Sequence, residues 1–580
     1  MLEGMVQLVR VSGRGPSGNR FYRSIADLRR AVPFAVAALP AAVVLLLILT
    51  KGVDLPFRDE FHLVAFVLKS QAGNLTFGDF WAPLNEHRVA IPRLVVWLLM
   101  PLAGFDFVVL MLVAFAMALA ALVFVWRTLR LTVGQKYPSR VPGAVIAAAL
   151  LMFSVVQYET WLFALPALQW HTGTLSAALS VWALARWPGG RRALTMGFTG
   201  AAVSMLAVLS GMLLWPAVVV TAMCQRVARM RPLGWAPWLG AGGLVLLAAA
   251  YFEGFAFPRH HPGPVAALSD PVAWLRFVCA YLGTPFAAGV TGATAIGAAG
   301  LLGSFVLALV LARRRDLVEL ALPWACLWLF TLAVACVTAA GRVGLGPELA
   351  LASRYAASAA LFWVSIVAAG LLALPASDER GKVHPLVRGS AGLAAAAVLL
   401  LYAQASRRAL DELMKRQWGL DVARQEMLLF ESAPVEVVAY LYPLQPSLAR
   451  IYLGFLKDAR LSLFSGPAAR IETSTRAPAG FHDSADCDAT SGWALDAAAV
   501  SRPVTVEVYA DEEFLGTTSA QSLRTDLRDA GIGTGLYGFS FPLPARLRDG
   551  RAHDIAARIA GTRFDLESTP RTITCPPRRN

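Results

Sequence analysis

FVVLMLVAFAMALAALVFVW, residues 107–126, is the stretch that decides the fold, because it runs for twenty positions without a charged side chain. About twenty such residues form a helix long enough to cross the hydrocarbon core of a bilayer. Similar blocks occur at Val32–Leu49, Ile296–Ala312 and Ala321–Ala340. Of all 580 residues, 57% are hydrophobic and only 16% are charged, below the roughly one quarter charged in soluble domains. The sequence therefore predicts an all-α polytopic membrane domain.

Clusters of arginine and lysine between the apolar blocks predict the orientation of the chain, because such clusters stay on the cytoplasmic side. The Arg-rich segment 1–31 shows no cleavable signal peptide and is assigned to that side. The clusters at 127–140, 186–192, 226–231, 313–315 and 380–388 are assigned there too. The path that satisfies them places the N-terminus inside and the C-terminus outside. It has eleven spans, near residues 32–50, 105–126, 142–157, 168–186, 194–210, 212–225, 236–257, 294–312, 317–339, 355–374 and 390–406.

The formal net charge of +14 raises the alternative of a nucleic-acid partner. A nucleic-acid-binding protein gathers its basic residues into a patch or stripe. Here they are divided among short clusters beside apolar blocks, and no long stripe with interleaved aromatic residues is present. The charge is therefore interpreted as a topology signal, with membrane lipids and no nucleic acid as the surroundings of the chain.

The first outer loop under this topology is 51–104, which carries the acidic pair Asp59-Glu60 close to the membrane surface. Its last part, 89–104, is apolar enough to be a span. A crossing there would move the basic cluster 127–140 outside and bring Arg93 into the bilayer, which is costly. We therefore interpret 89–104 as a helix at the outer interface, and 271–290 in the same way. The remaining outer segments are 157–167, 258–293, 341–354 and everything after about 407.

Two further regions follow the last span. Residues 407–479 are charged with a helical pattern and predict a helical collar, whereas 480–580 predict a β-sandwich domain from short alternating runs and Gly-rich turns. Cys487 and Cys575 bracket this domain, and an oxidising compartment would join them in a disulfide; the alternative is two unrelated thiols. The other four cysteines lie in or beside apolar spans and are interpreted as packing residues.

Ionisable side chains concentrate in the outer loops. The pair Asp59-Glu60, with His62, His87 and Arg88 in the same loop, suits a general base beside an anionic ligand. The alternative is a solvated acidic turn that only ends a helix. The loop is therefore a candidate active site, with Asp59 and Glu60 as its candidate catalytic residues.

Two arginines farther along the chain suit the binding of a phosphate. Arg342 and Arg354 each offer a planar fork for phosphate oxygens, and Arg354 precedes a span whose N-terminal N–H groups would reinforce anion binding. The alternative is that they anchor helix ends at the lipid headgroups. Glu159 either helps to bind an acceptor or belongs to an interfacial polar network. His171 and the pair His260-His261 are interpreted as structural.

The order of these residues resembles the GT-C class of membrane glycosyltransferases. Members of that class place an Asp or Asp-Glu pair just after the first span, then a His-containing segment, an interfacial helix and a second span after a Gly. Here Asp59-Glu60, His87-Arg88 and Gly104 occupy those places. The single Pro92, four residues after Arg88, departs from the His-Pro-Pro pattern of the class.

Within that class the chain resembles most a group of bacterial multi-pass membrane proteins without an assigned activity. The resemblance covers most of residues 50–465. Its motifs are, in order, Asn85–Arg88, Glu159-Thr-Trp161, Gln169-Trp170, Gly341–Gly346 and Ser353-Arg354-Tyr355.

The resemblance implies an inverting transferase that passes a sugar from a polyprenyl-phosphate donor to an envelope glycan or lipid acceptor. It implies a location in the bacterial inner membrane, with the reaction and the C-terminal domain on the outer side. It gives Asp59 the role of base with Glu60 beside it. It assigns Arg88, Arg342, Arg354 and Tyr355 to the donor phosphate, and His62, His87, Glu159 and Gln169 to the acceptor. Some relatives use a divalent metal ion; this sequence shows no metal-ligand spacing that would assign its ligands.

Two rival functions belong to other classes. A lipid or glycan transporter would keep ionisable residues inside its spans and often shows inverted repeats, neither of which is evident here. A non-catalytic scaffold would bind envelope glycan through the C-terminal domain, which resembles small β-sandwich modules appended to bacterial glycosyltransferases. Deletion of 480–580 would separate the scaffold from an enzyme.

Overall fold

The computed structural model describes residues 16–232, 234, 236–255, 269–287, 289–374, 385–427, 435–443, 445–465, 479–496, 503–530, 534–560 and 565–577. His260-His261 therefore lie outside the described residues. The chain divides into two compact units. The first unit comprises Met1–Gly52, Asn74–Leu99 and Phe107–Met414, and the second comprises Val53–Gly73, Met100–Asp106 and Lys415–Asn580.

The first unit is almost entirely helical, as its apolar blocks predict. Its helices begin with Pro16–Lys51, which starts inside the predicted polar segment 1–31. The others are Phe77–Trp81, most of Ala90–Ala103, Phe107–Leu131, Val133–Lys136, Val141–Met152, Tyr158–Leu162, Ala164–Arg186, Arg191–Met205, Leu214–Ala228, Ala236–Phe252, Pro271–Gly283, Val290–Ala312, Arg315–Arg342, Ala356–Ala373 and most of Pro385–Met427. A short hairpin of β1 (Pro83–Leu84) and β2 (His87–Arg88) interrupts them.

Seven helical stretches in the described part of the chain are long and apolar enough to cross a membrane. They are Val32–Lys51, Phe107–Lys136, Pro138–Leu162, Leu209–Ala228, Val290–Ala312, Arg315–Leu345 and Ser353–Ala373. Each falls on one of the spans that the sequence predicts. The chain therefore has the architecture of a multi-pass membrane protein.

The prediction of eleven spans is too high for the described residues. The helix Ala164–Arg186 is long enough, but its interior positions carry many polar side chains, including Gln169, His171 and Thr172. The helix Arg191–Met205 has 15 residues and Ala236–Phe252 has 17, both short of the roughly 20 that a crossing needs. The last predicted span, 390–406, begins among residues whose side chains are not described.

Small residues let the helices of the first unit approach closely. Gly297 in the helix Val290–Ala312 faces the backbone of Cys279, and a Cβ atom at position 297 would overlap its carbonyl oxygen. Gly283 faces Ala293 in the same way from the opposite helix. Membrane helices use small residues for this purpose, because dispersion between closely packed backbones holds them together in lipid.

The helical part of the second unit is made of residues from the first loop and residues that follow position 414. Its helices are Phe61–Gln71, Val435–Leu441, Pro446–Asp458 and the end of Pro385–Met427. Phe61 is fully buried and stacks on Tyr442 at 5.0 Å and on Tyr452 at 6.4 Å between ring centroids. The predicted collar therefore packs against the residues that follow the first apolar helix.

The C-terminal part of the second unit consists of two four-stranded antiparallel sheets. Their strands are β3 (Ala479–Ala485), β4 (Ala489–Leu495), β5 (Val504–Ala510), β6 (Glu513–Ala520), β7 (Ser522–Leu523), β8 (Leu536–Pro542), β9 (Ala552–Ile559) and β10 (Arg571–Thr574). The orders are β10-β9-β5-β6 and β3-β4-β8-β7. Val506 and Ala557 of one sheet share a buried core with Ala494 and Phe539 of the other. The predicted β domain is therefore present as two sheets packed face to face.

Cys487 and Cys575 are joined in a disulfide, with their Cα atoms 5.4 Å apart. Cys575 follows β10 and is fully buried, and Cys487 lies in the turn between β3 and β4. The pair that the sequence singles out thus links the two ends of the β domain. Among the other cysteines, Cys279 and Cys326 are buried, as expected of packing residues, whereas Cys336 is half-buried and Cys224 is exposed.

Candidate functional site

The predicted site residues belong to both units. Asp59, Glu60 and His62 lie in the second unit, and the remaining residues lie in the first. Within the first unit they form two groups, one around Arg342 and one around Arg354. The three groups have different geometry and suit different tasks.

Arg88 anchors the loop that contains the first group. Its side chain is 4% exposed and donates to three backbone carbonyls, those of Tyr251 (2.6 Å from Nε), Trp81 (2.6 Å from Nη1) and Glu253. Its backbone N–H donates to the Tyr251 hydroxyl at 2.9 Å, and that hydroxyl donates to the Glu86 carbonyl. These bonds give Arg88 a structural task in holding the loop, and its contact with the donor phosphate stays a prediction.

A second buried arginine holds the start of the same loop. Arg93 donates from Nη1 to the carbonyl oxygens of Phe80 (3.3 Å) and Ala82. Between these anchors the chain turns back in the β1–β2 hairpin, where Asn85 has a positive φ of 50°. Asn tolerates this left-handed conformation better than most residues. The segment Asn85-Glu86-His87 is therefore presented at a turn whose two flanks are fixed.

Glu86, His87 and Arg342 form a compact polar group at this turn. The Glu86 carboxylate forms an ion pair with Arg342 and lies 3.7 Å from His87 Nε2. His87 Nδ1 accepts the backbone N–H of Leu209 at 3.2 Å, so the neutral ring carries its proton on Nε2, toward Glu86. The three side chains are 15%, 26% and 18% exposed. The group is therefore ordered by the fold and still open to a ligand.

Arg342 reaches this group from the end of a long helix. It is the last residue of Arg315–Arg342, after which the chain turns through Val343–Leu345 and Gly346, whose φ is 98°. A cation is favoured at this position because the helix dipole leaves partial negative charge at the C-terminus. The group thus combines a cation and an imidazole N–H, which can both donate to a phosphate ester, with a carboxylate that holds the cation in place.

Glu159 and Arg354 form the second group. Glu159 is buried, and its Oε2 accepts both the backbone N–H and the Nη1 of Arg354 at 3.2 Å. Its own N–H donates to Ser353 Oγ, which donates to the Val156 carbonyl at 2.7 Å. The sequence assigns an external anion to the start of the helix Ala356–Ala373. In the structure the Glu159 carboxylate lies at this place, and the binding of an external anion there stays a prediction.

Aromatic rings and amide groups surround the second group. Tyr355 is buried and stacks on Tyr281 at 5.0 Å, with Trp170 edge-on at 6.1 Å. Gln169 donates to the Ala207 carbonyl at 3.3 Å, and His171 stacks on Trp161 at 4.2 Å. These contacts give Gln169 and His171 packing partners inside the helical bundle, as the sequence predicts for His171.

The third group separates the two members of the acidic pair. The Glu60 side chain is buried, and its Oε2 accepts the backbone N–H of Phe57 at 2.9 Å, which caps the turn before the helix Phe61–Gln71. Asp59 and His62 are exposed on this helix end. His62 Nε2 lies 3.5 Å from the Tyr442 hydroxyl. Burial, with the neighbouring Tyr452 and the charge of Asp59, raises the pKa of Tyr442.

The segment Leu461-Ser-Leu-Phe464, which follows the helix Pro446–Asp458, contacts the first loop in the same unit. Ser462 is buried with a positive φ of 52° and donates to Asp54, at 3.2 Å from the carbonyl and 3.0 Å from the carboxylate. Arg58, next to Asp59, also has a positive φ of 52°. Such conformations are rare outside glycine and mark positions that the surrounding fold over-determines.

The sequence alone singled out His87 and Arg342, but not Glu86, Tyr251 or Tyr442. Glu86 stood in the Asn85–Arg88 motif beside two selected residues, and that neighbourhood was the available signal. Tyr251 lies far away in the chain and offered none, whereas Tyr442 stands with Pro443 in a segment that the resemblance covers. Among the described residues, no group of three or more His, Cys, Asp or Glu side chains is placed to hold a metal ion.

Comparisons with known protein families, with curated proteins and with solved structures found nothing that matches this chain.

Proposed function

We propose that this chain is a membrane glycosyltransferase of the GT-C type, acting on the outer face of the membrane. The donor is a sugar linked to a polyprenyl phosphate, and the acceptor is an envelope glycan or lipid. The order of motifs from Asp59 to Tyr355 and the seven apolar helices support this proposal.

The observation that carries the proposal is the group formed by Glu86, His87 and Arg342. A guanidinium stays charged at any relevant pH and matches the oxygens of a phosphate. Glu86 fixes the orientation of that guanidinium, and His87 adds an N–H donor beside it. Because the loop is anchored by Arg88 and Arg93, the group can receive a phosphate without first having to become ordered.

The transfer requires stabilisation of the charge that develops on the leaving phosphate. The acceptor oxygen bonds to the anomeric carbon while the bond from that carbon to the phosphate oxygen breaks. The electron pair leaves with the polyprenyl phosphate, whose growing negative charge a positioned cation such as Arg342 stabilises. The acceptor proton passes to a carboxylate base.

The sequence order assigns that base to Asp59, and its exposure is compatible with the task. Glu60 acts through its cap on Phe57 and is a positioning residue in this scheme. Arg342 contacts the donor phosphate, and Glu86 positions Arg342.

The test compares envelope glycans and lipids from cells with the native chain, without it, and with single variants, by mass spectrometry. Loss of the chain is expected to remove one glycosyl unit from one envelope component. Asp59→Asn and Arg342→Gln are each expected to lower that product by about a hundredfold or more, as removal of a base or of a charge-stabilising donor does. Glu348→Gln, an exposed carboxylate outside all three groups, is the matched control and should have no effect.

Unchanged glycans and lipids after deletion of the chain would refute the proposal. An accumulated, fully glycosylated precursor on the inner side would instead identify a transporter. If the Asp59→Asn variant is present at the native level and still makes the full product, the chain is an enzyme but Asp59 is not its base.

A further inference from the structure

A cavity of about 210 Å³ lies between three membrane-crossing helices of the first unit. The helices are Val290–Ala312, Arg315–Arg342 and Ala356–Ala373. Its walls include Leu307, Leu311, Leu322 and Ile366. None of the residues proposed for glycosyl transfer lines it, so it is a separate feature of the molecule.

The walls of this cavity are apolar even where a lining residue carries a polar atom. The two hydroxyls that line it, of Ser304 and Ser365, donate to carbonyls of their own helices at 2.6 Å. The Trp324 indole donates outside the cavity to Thr132 at 3.0 Å. The Trp328 Nε1 is buried and has no hydrogen-bond partner among the described residues. A cavity of this kind binds hydrocarbon and rejects polar ligands.

The depth of the cavity matches one leaflet of a bilayer. Along the helix Arg315–Arg342 its lining runs from Val318 to Trp328. At 1.5 Å per residue this is about 15 Å, half of the roughly 30 Å hydrocarbon core. The cavity therefore reaches from the helix end near Arg315 to about the middle of the membrane.

The end of the cavity at the membrane surface is strongly basic. Leu311 and Ala312 line the cavity and are followed directly by Arg313, Arg314 and Arg315, all exposed. The two acidic residues that come next are already engaged: Asp316 with Lys136 and Glu319 with Arg229. An anion here would also meet the N-terminus of the helix Arg315–Arg342, which favours negative charge.

We propose that this cavity binds one acyl chain of an anionic phospholipid, whose headgroup phosphate rests on Arg313, Arg314 and Arg315. The apolar walls and the depth of one leaflet fit a hydrocarbon chain, and the basic end fits an anionic headgroup. Basic pockets at the ends of membrane helices recognise anionic headgroups in this way.

The site is distinct from the proposed donor site. Arg342 and Arg315 stand at opposite ends of one 28-residue helix, about 40 Å apart along its axis. A phosphate bound at Arg342 therefore cannot be the one bound at Arg313–Arg315. The lipid would bind there whatever reaction the chain performs.

The test measures lipid retained by the full-length protein in native mass spectrometry, after incubation with dioleoyl phosphatidylglycerol or dioleoyl phosphatidylcholine. The two lipids share their chains and differ in charge. We expect one phosphatidylglycerol to be retained at least tenfold better than phosphatidylcholine. The double variant Arg313→Gln/Arg314→Gln should weaken retention roughly thirtyfold, about fivefold for each arginine lost. The pair Arg191→Gln/Arg192→Gln, also exposed, controls for general attraction and should change it little.

A second pair of variants tests the cavity itself. Ala308 lines the cavity and Ala299 does not, although both are exposed alanines on the helix Val290–Ala312. Ala308→Phe should abolish retention of phosphatidylglycerol, and Ala299→Phe should preserve it. The smaller change Ala308→Val gives an intermediate loss and guards against a folding defect, which size-exclusion chromatography checks.

Equal retention of the two lipids would overturn the proposal, and so would equal behaviour of Ala308→Phe and Ala299→Phe. Displacement of phosphatidylglycerol by an equimolar polyprenyl phosphate would also overturn it, because the cavity would then belong to the lipid carrier. Each of these results is independent of whether glycosyl transfer is found.

Discussion

At the scale of single residues, neighbours in sequence have unlike tasks. Asp59 and Glu60 form one acidic pair in the sequence, yet Asp59 is exposed whereas the Glu60 carboxylate is buried against the Phe57 N–H. His87 and Arg88 differ in the same way, because the His87 side chain faces Glu86 whereas the Arg88 side chain donates to backbone carbonyls. Sequence identified the segments, because their residue types are unusual after an apolar helix. It could not divide the tasks, because these depend on contacts made in the folded chain.

His482 in β3 makes the β domain sensitive to acid. It is fully buried between the hydroxyls of Thr569 (3.0 Å) and Thr490 (2.6 Å), and burial together with the charge of Arg571 lowers its pKa to about 4. The neutral ring is thus favoured in the folded state, whereas the unfolded state binds a proton near pH 6.5. Its stabilising contribution is therefore complete above pH 6.5 and is lost as the pH falls toward 4.

We expect the β domain to lose about 2 kcal/mol between pH 7 and pH 5 through His482. The measurement is the urea midpoint for loss of hydrogen-exchange protection in β3 and β4 of the full-length protein. The variant His482→Gln keeps hydrogen-bonding capacity and should lose this part of the pH dependence. His553 has a raised pKa between Asp511 and Asp549 and acts with the opposite sign, so the difference between native and variant isolates His482. An identical pH dependence in both proteins would contradict this role.

At the scale of helices, two glycines of one helix offer a matched experiment. Gly297 faces the Cys279 carbonyl, and a side chain there has no room, whereas Gly303 has nothing within 4 Å of where its Cβ would stand. Gly297→Leu is expected to destabilise the protein by about 1–3 kcal/mol or more, as overpacking does, and to separate Pro271–Gly283 from Val290–Ala312. Thermal unfolding in detergent measures the effect.

Gly303→Leu should leave the melting temperature nearly unchanged or raise it slightly, because leucine favours a helix more than glycine does. Equal melting temperatures for the two variants would show that the close approach at Gly297 does not hold the helices together.

The same scale shows what hydropathy can and cannot predict. Blocks such as Phe107–Trp126 became helices because lipid leaves the backbone no other partners than its own. The helix Ala164–Arg186 was expected as a span, but its polar residues keep it out of the seven apolar stretches. Many of these residues are buried, and Ser180 donates to the Ser176 carbonyl of the same helix. An apolar count treats such residues as solvated, and only the packed structure shows that they are enclosed.

At the scale of the whole molecule, the second unit is assembled from distant parts of the chain. Val53–Gly73 belongs with residues after 414, and Phe61 packs on Tyr442 and Tyr452. The composition of 407–479 predicted helices, but nothing in it indicated this pairing. Long-range packing of this kind depends on complementary shapes, which periodicity does not encode.

Two deletions test that assembly. Removal of 479–580 should leave Phe61 buried, because its aromatic partners remain, whereas removal of 435–580 should expose it. Limited chymotrypsin digestion followed by mass spectrometry should therefore cut after Phe61 and Phe66 only in the longer deletion. Cleavage at these sites in the shorter deletion would mean that the β domain, and not the collar, protects them. The shorter deletion is also expected to keep transfer activity, whereas a non-catalytic scaffold would lose its glycan binding together with the β domain.

The contacts that hold the turn Asn85-Glu86-His87 have a consequence for how this chain can diverge in evolution. Arg88 donates to the backbone carbonyls of Trp81, Tyr251 and Glu253. Because every residue type has a backbone carbonyl, substitutions at these three positions would keep the hydrogen bonds. Glu86 and Arg342, 256 positions apart, meet through their side chains and constrain each other. Among descendants of this sequence, positions 86 and 342 should change together or not at all, while Arg88 persists beside varied partners.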